Sequence, residues 1–104
     1  MMIVTTPTIP GKTIKKTLGL VRGNTIRARH IGHDIMASLK NLIGGEIEDY
    51  TKMLAEAREQ SLDRMVEQAT ELGANAIVCM YFSTSFIMQN ASEILAYGTA
   101  VVVE

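Results

Sequence analysis

The sequence predicts an α+β domain of two layers, in which a β-α-β-β order sets an antiparallel sheet against one long helix. Three stretches predict it. Residues 46–72 carry apolar side chains at helical spacing, residues 13–28 are rich in β-branched residues, and residues 76–103 form two extended runs divided by a polar pair. With 104 residues, 47% of them apolar, the chain is long enough for one core and reads as a single domain over 1–104.

Taken in order, residues 3–6 read as a short strand that Pro7 and Pro10 end, because proline cannot donate to a ladder. Residues 13–22 read as a strand, Gly23-Asn24 as a turn, and 25–28 as the strand resumed. Asp34 reads as an N-cap for a helix over 34–43, with Ile35, Met36, Leu39, Leu42 and Ile43 on one side. Gly44-Gly45 stops it.

The long helix follows. Ile47, Tyr50, Met53, Leu54, Ala57, Leu62, Met65, Val66, Ala69 and Leu72 make its stripe. Glu46, Glu48 and Asp49 suit the positive end of its dipole, and Gly73 ends it. Residues 76–88 and 93–103 read as antiparallel strands turning at Gln89-Asn90. In the last strand Ile94, Ala96, Ala100 and Val102 point one way, while Leu95, Tyr97, Val101 and Val103 point the other. A single helix covers one face of such a sheet. The second apolar face predicts a further cover, either another copy of the chain or the 34–43 helix.

Charge is divided unevenly. Residues 1–33 carry +6 without one acid, and residues 34–104 carry −7. The expectation is that the halves attract each other within or between subunits. A nucleic-acid surface is not expected, because the basic half has no aromatic residue on which bases could stack. No run reaches the roughly 20 apolar residues of a membrane helix. Residues 1–12 lack a basic start followed by an apolar run, and Cys79 is the only cysteine, so a reducing, cytoplasmic setting is expected.

Few residues offer chemistry. His30 and His33 beside Asp34 have partial metal-ligand character, but a structural turn before a helix explains them as well. Cys79 and Met80 offer soft sulfur, yet neighbours in a strand face opposite ways and cannot chelate together. Arg58 follows the stripe residue Ala57 and suits an anion or an acidic residue of a neighbouring subunit.

Several ordered motifs carry a resemblance: Thr5-Thr6, Gly19-Leu20-Val21-Arg22-Gly23, Asp34-Ile35, Asn41-Leu42-Ile43-Gly44-Gly45-Glu46 before Tyr50, and Ala57-Arg58. Leu72-Gly73-Ala74-Asn75-Ala76-Ile77-Val78 and Tyr97-Gly98-Thr99-Ala100-Val101 complete the series. Over nearly its whole length the chain resembles the YbjQ family of small bacterial and archaeal proteins. The resemblance implies a dodecin-like subunit, a ring-shaped pentamer or stacked decamer, and a heavy-metal-binding label with a divalent or soft metal as cofactor. Within the shared pattern, Asp34, Tyr50 and Arg58 are the side chains with binding chemistry. His30, His33 and Cys79 are weaker metal candidates outside that pattern. The expected function is a homo-oligomer that binds a metal ion or small anion at a subunit interface or pore. An accessory oligomer that binds another protein is the alternative, and an enzyme with an interface site using Asp34, Tyr50 and Arg58 is the less favoured third.

Overall fold

The computed structural model describes residues 1–28, 45–88 and 91–104. Its elements are β1 (Met2–Ile3), β2 (Ile14–Ala28), α1 (Gly45–Glu71), β3 (Ala76–Met88) and β4 (Ala91–Val103). They form an α+β unit, a four-stranded sheet in the order β1-β3-β4-β2 packed on α1. β4 pairs antiparallel with β3, as the sequence predicts, and also antiparallel with β2 on its other side. β1 adds a parallel pair, Met2 opposite Ala76 and Ile3 opposite Ile77, so the sheet is mixed rather than purely antiparallel. The reading of a helix over 34–43 and of turns at Gly44 and Gln89-Asn90 lies outside the described residues.

The predicted turn at Gly23-Asn24 is absent, and β2 runs through it as one strand of 15 residues. Gly23 is there for a different reason. A Cβ placed on it would lie 2.2 Å from the Ser61 carbonyl oxygen, 2.5 Å from the Met65 nitrogen and 2.8 Å from Arg64 Cβ. The backbone of α1 rests directly on β2 at this point, and only a residue without a side chain permits it.

The helix contributes its buried residues at four-residue intervals, Ala57, Ser61, Met65 and Ala69, all fully buried. Three of the four are small, which is what lets the helix approach the sheet. Met65 and Ala69 join Val21, Ile77, Met80, Ala96 and Ala100 in the main core. Ser61 is the polar member. Its Oγ lies 3.0 Å from Thr25 Oγ1, 2.9 Å from the Ala57 carbonyl and 3.0 Å from the Ile94 carbonyl. With one hydroxyl proton, Ser61 donates to one of these three oxygens at a time, and the cluster joins helix, β2 and β4.

The helix ends as its glycine predicts. Gly73 takes φ 88°, its N–H donates to the Thr70 carbonyl at 3.0 Å, and the Ala74 N–H reaches back to Ala69 at 3.0 Å. This pair of bonds is the Schellman arrangement, which closes carbonyls the last turn leaves open. Asn75 follows immediately and holds the opposite end of the sheet. Its Nδ2 donates to the Val103 carbonyl and its Oδ1 accepts from the Val103 N–H, both at 2.8 Å. The side-chain amide thus acts as one more residue of strand.

The second face is covered over half its length by the chain itself. Residues 4–14 fold across it and bury Ile9 against Ala76, Val78, Val101 and Val103. Reciprocal bonds between Thr13 and Glu104, 2.9 and 3.0 Å, pin the end of that crossing segment. The cover expected from another copy or from a 34–43 helix comes over this half from neither but from the N-terminal segment, whose Ile9 packs on the sheet, and residues 34–43 lie outside the described residues.

Two substitutions test this frame. Gly23→Ala forces the helix off β2 and is expected to destabilise by about 1–3 kcal/mol, read as a fall in the thermal midpoint. Asn75→Asp replaces the amide donor with an oxygen facing the Val103 carbonyl, and is expected to cost about 1–3 kcal/mol in denaturant unfolding. An Asn75→Asp chain as stable as the parent would show that the clasp carries no weight.

Candidate functional site

The open half of the second face is where polar side chains gather. Register places Leu20, Arg22, Asn24 and Ile26 of β2 beside Thr99, Tyr97, Leu95 and Glu93 of β4. Tyr81 and Ser83 of β3 lie across from Tyr97 and Leu95. The N-terminal segment stops short of this region, so Leu20 is 65% and Ile26 58% exposed. Two large apolar side chains exposed to this degree on one strand are uncommon on a monomer's surface.

A single row crosses three strands here: Arg22, Tyr97, Tyr81. The two rings have centroids 6.2 Å apart at 43°, a tilted aromatic pair. The Tyr81 hydroxyl donates to the Thr5 carbonyl at 3.4 Å, which ties the row to the N-terminal segment. One row lower, Asn24 Nδ2 donates to Glu93 Oε2 at 3.2 Å, a diagonal pair across β2 and β4. The Arg22 guanidinium and the Tyr97 phenol, in line on this face, offer hydrogen-bond donors suited to an anionic or carboxylate group, while the Tyr81 proton is held by Thr5.

At the edge of β2 the helix supplies the missing partners. The Arg22 N–H donates to Gln68 Oε1 at 2.7 Å. Arg64 Nη1 donates to the Asn24 carbonyl. The middle of the β2 edge is thereby closed by two helix side chains, one way of protecting an edge strand.

The predicted site residues are distributed differently. Arg58 is exposed on α1, one position past the fully buried Ala57. Tyr50 lies on the same helix eight positions earlier, about 12 Å along the axis. Asp34, His30 and His33 lie outside the described residues. Among the described residues, no group of three or more histidines, cysteines or acids stands together as a metal would require.

Cys79 lies in a bulge of β3, where the register with β4 shifts between Val78 and Tyr81. It has φ 54°, the left-handed region that residues with a Cβ rarely adopt. Its N–H donates to the Thr6 carbonyl and the next, Met80, to the Val4 carbonyl, both at 3.1 Å. The bulge therefore lets the N-terminal segment continue along β3 beyond β1. The thiol is half-buried against the core of the second face, while Met80 packs into the core under the helix. The two sulfurs are on opposite faces, as the sequence predicts.

Sequence reasoning did not single out the Arg22, Tyr97 and Tyr81 row, because those residues are up to 75 positions apart and meet only through strand register. The bulge gives a direct test. Cys79→Gly is expected to match the parent in stability or exceed it, and Cys79→Val to lose about 1–2 kcal/mol, both followed by chemical unfolding.

Comparison with known proteins agrees with this fold. A family described as "Putative heavy-metal-binding", the YbjQ family, matches residues 1–104. A UPF0145 protein of Dehalococcoides mccartyi strain BAV1 is 62% identical over 104 residues, all of both chains. One from Methanosarcina acetivorans is 57% identical over 101 residues, 97% of this chain and 95% of that one. One from Pyrococcus horikoshii is 57% identical over 104 residues, 100% of this chain and 89% of that one. Among solved structures, a DUF74-family protein of unknown function from Pediococcus pentosaceus shares the fold, with TM-score 0.61 at 18% identity over 100% of this chain and 98% of its own. By family match and by whole-length identity, this chain belongs to the YbjQ (UPF0145) family.

Proposed function

We propose that the chain is a ring-forming homo-oligomer, a pentamer or stacked decamer, that binds a small anion or a metal ion between subunits. The observation that carries this reading is the open half of the second sheet face, with its Arg22, Tyr97 and Tyr81 row flanked by exposed Leu20 and Ile26. A chain that covers the rest of this face with its own N-terminal segment leaves this part for a neighbour.

The shape supports the same reading. The Cα radius of gyration is 17.3 Å, with extents of 54 × 21 × 17 Å. A compact domain of this length has a radius near 13 Å. Long strands and a 27-residue helix gain lateral burial when copies stand side by side.

The donor row favours an anion, and the family's heavy-metal label favours a metal. Arg58 and Tyr50 on the helix, with Asp34, are the further side chains we assign to the ligand or the subunit contact. His30, His33 and Cys79 are the candidates for a divalent or soft metal. In the accessory reading, the same face meets another protein instead.

Native mass spectrometry of the protein as purified decides among these. The expected result is an oligomer whose mass exceeds the chain sum by a fixed increment per subunit, lost or reduced in Arg22→Ala. A bare oligomer that shows no saturable binding of zinc or phosphate would favour the accessory role. A monomer would overturn the assembly reading.

A further inference from the structure

Beyond Met80 the outer edge of β3 has no partner strand among the described residues. β1 pairs as far as Ile77, and the last backbone bond between the N-terminal segment and β3 is at Met80. From residue 81 to 87 every side chain is exposed. Phe82 lies opposite Ala96 on the helix side of the sheet, but α1 packs over β2 and β4, leaving Phe82 42% and Phe86 77% exposed.

This edge has an unusual sequence. Met80-Tyr81-Phe82-Ser83-Thr84-Ser85-Phe86-Ile87-Met88 reads the same in both directions except for Tyr81 and Ile87, and it carries no charge, glycine or proline. An antiparallel pair of identical strands related by a two-fold axis sets residue i opposite its mirror position. Centred on Thr84, such a pair sets Phe82 against Phe86 of the second copy, Ser83 against Ser85, and Thr84 against itself. A two-fold axis also brings each charge close to its own copy, so a neutral strand is the electrostatic requirement for self-pairing. The β2 edge fails it, because it carries Lys15, Lys16, Arg22 and Arg27 and is closed by Arg64 and Gln68.

We propose that residues 81–87 of β3 pair antiparallel with the same residues of a second copy about a two-fold axis at Thr84, joining two sheets edge to edge. The proposal rests on the homo-oligomer reading only in requiring a second copy. In a ring-forming protein this contact joins two rings face to face, so the full assembly contains an even number of chains.

A single cysteine at the axis tests it. In Cys79→Ser, Thr84→Cys, the two Cα atoms of a directly opposed antiparallel pair lie about 4.5–5.5 Å apart, within disulfide reach. Mild oxidation is expected to give a covalent dimer linked 84 to 84, identified by mass spectrometry of the digested protein. Head-to-tail pairing sets residue 84 beside a different residue and leaves the chain uncrosslinked. A second variant, Thr84→Lys, is expected to halve the native assembly mass with its circular dichroism unchanged. Absence of the 84–84 link in a folded oligomer, an odd-numbered parent assembly, or an unchanged mass for Thr84→Lys would each overturn the proposal while leaving the ring intact. A monomeric parent would overturn both.

Discussion

The close approach of α1 to β2 at Gly23 sets the rest of the structure. Where the helix backbone lies against the strand, Ser61 reaches Thr25 and the Ile94 carbonyl, and Arg64 and Gln68 reach the outer edge of β2. A helix held even one side chain farther away would lose these bonds together, since hydrogen bonds fade over a few tenths of an ångström. Small residues on the helix and glycine on the strand thus act as one device for bringing polar groups within range, and dispersion contacts of the surrounding apolar residues then fill the interface.

That placement has a second effect. A helix drawn onto β2 and β4 leaves residues 81–87 of β3 exposed among the described residues, so the middle of the β2 edge is closed while this part of the β3 edge is not. The two faces are similarly unequal, one under the helix and the other half-covered by a folded-back N-terminal segment. The open regions sit on the same end of the sheet, around residues 20–26, 81–87 and 93–97. Unequal coverage of this kind is what self-assembling domains use, because surface left over by the monomer is buried by symmetry.

Much of the fold was legible in the sequence. The helix expected over 46–72 is found at Gly45–Glu71, and the strand expected over 76–88 at the same bounds, because each buries a continuous stripe and periodicity reports burial. Gly23-Asn24 misled for a physical reason: glycine marks both turns and close backbone approach, and only the position of a helix 40 residues later separates them. Two residues of β1 carry too little pattern to announce a parallel partner. The left-handed backbone at Cys79 has no sequence signal, since glycine or asparagine would be the expected residue. The candidate site was less legible still. Its side chains come from three strands whose register depends on bulges near Leu18, Cys79 and Ile87, and a one-residue slip would turn each side chain to the other face.

The strand at the middle of the sheet is the last of the four in sequence. β4 joins β2 to β3, and its final residue is the one Asn75 clasps. During synthesis β2, α1 and β3 emerge before the strand that joins them exists. Until residues 91–103 have left the ribosome, the nascent chain can form its helix but not its ladder, and β2 and β3 both present unpaired edges. The neutral, aromatic stretch of β3 keeps a further edge unpaired until β4, a strand of 13 residues, pairs with it.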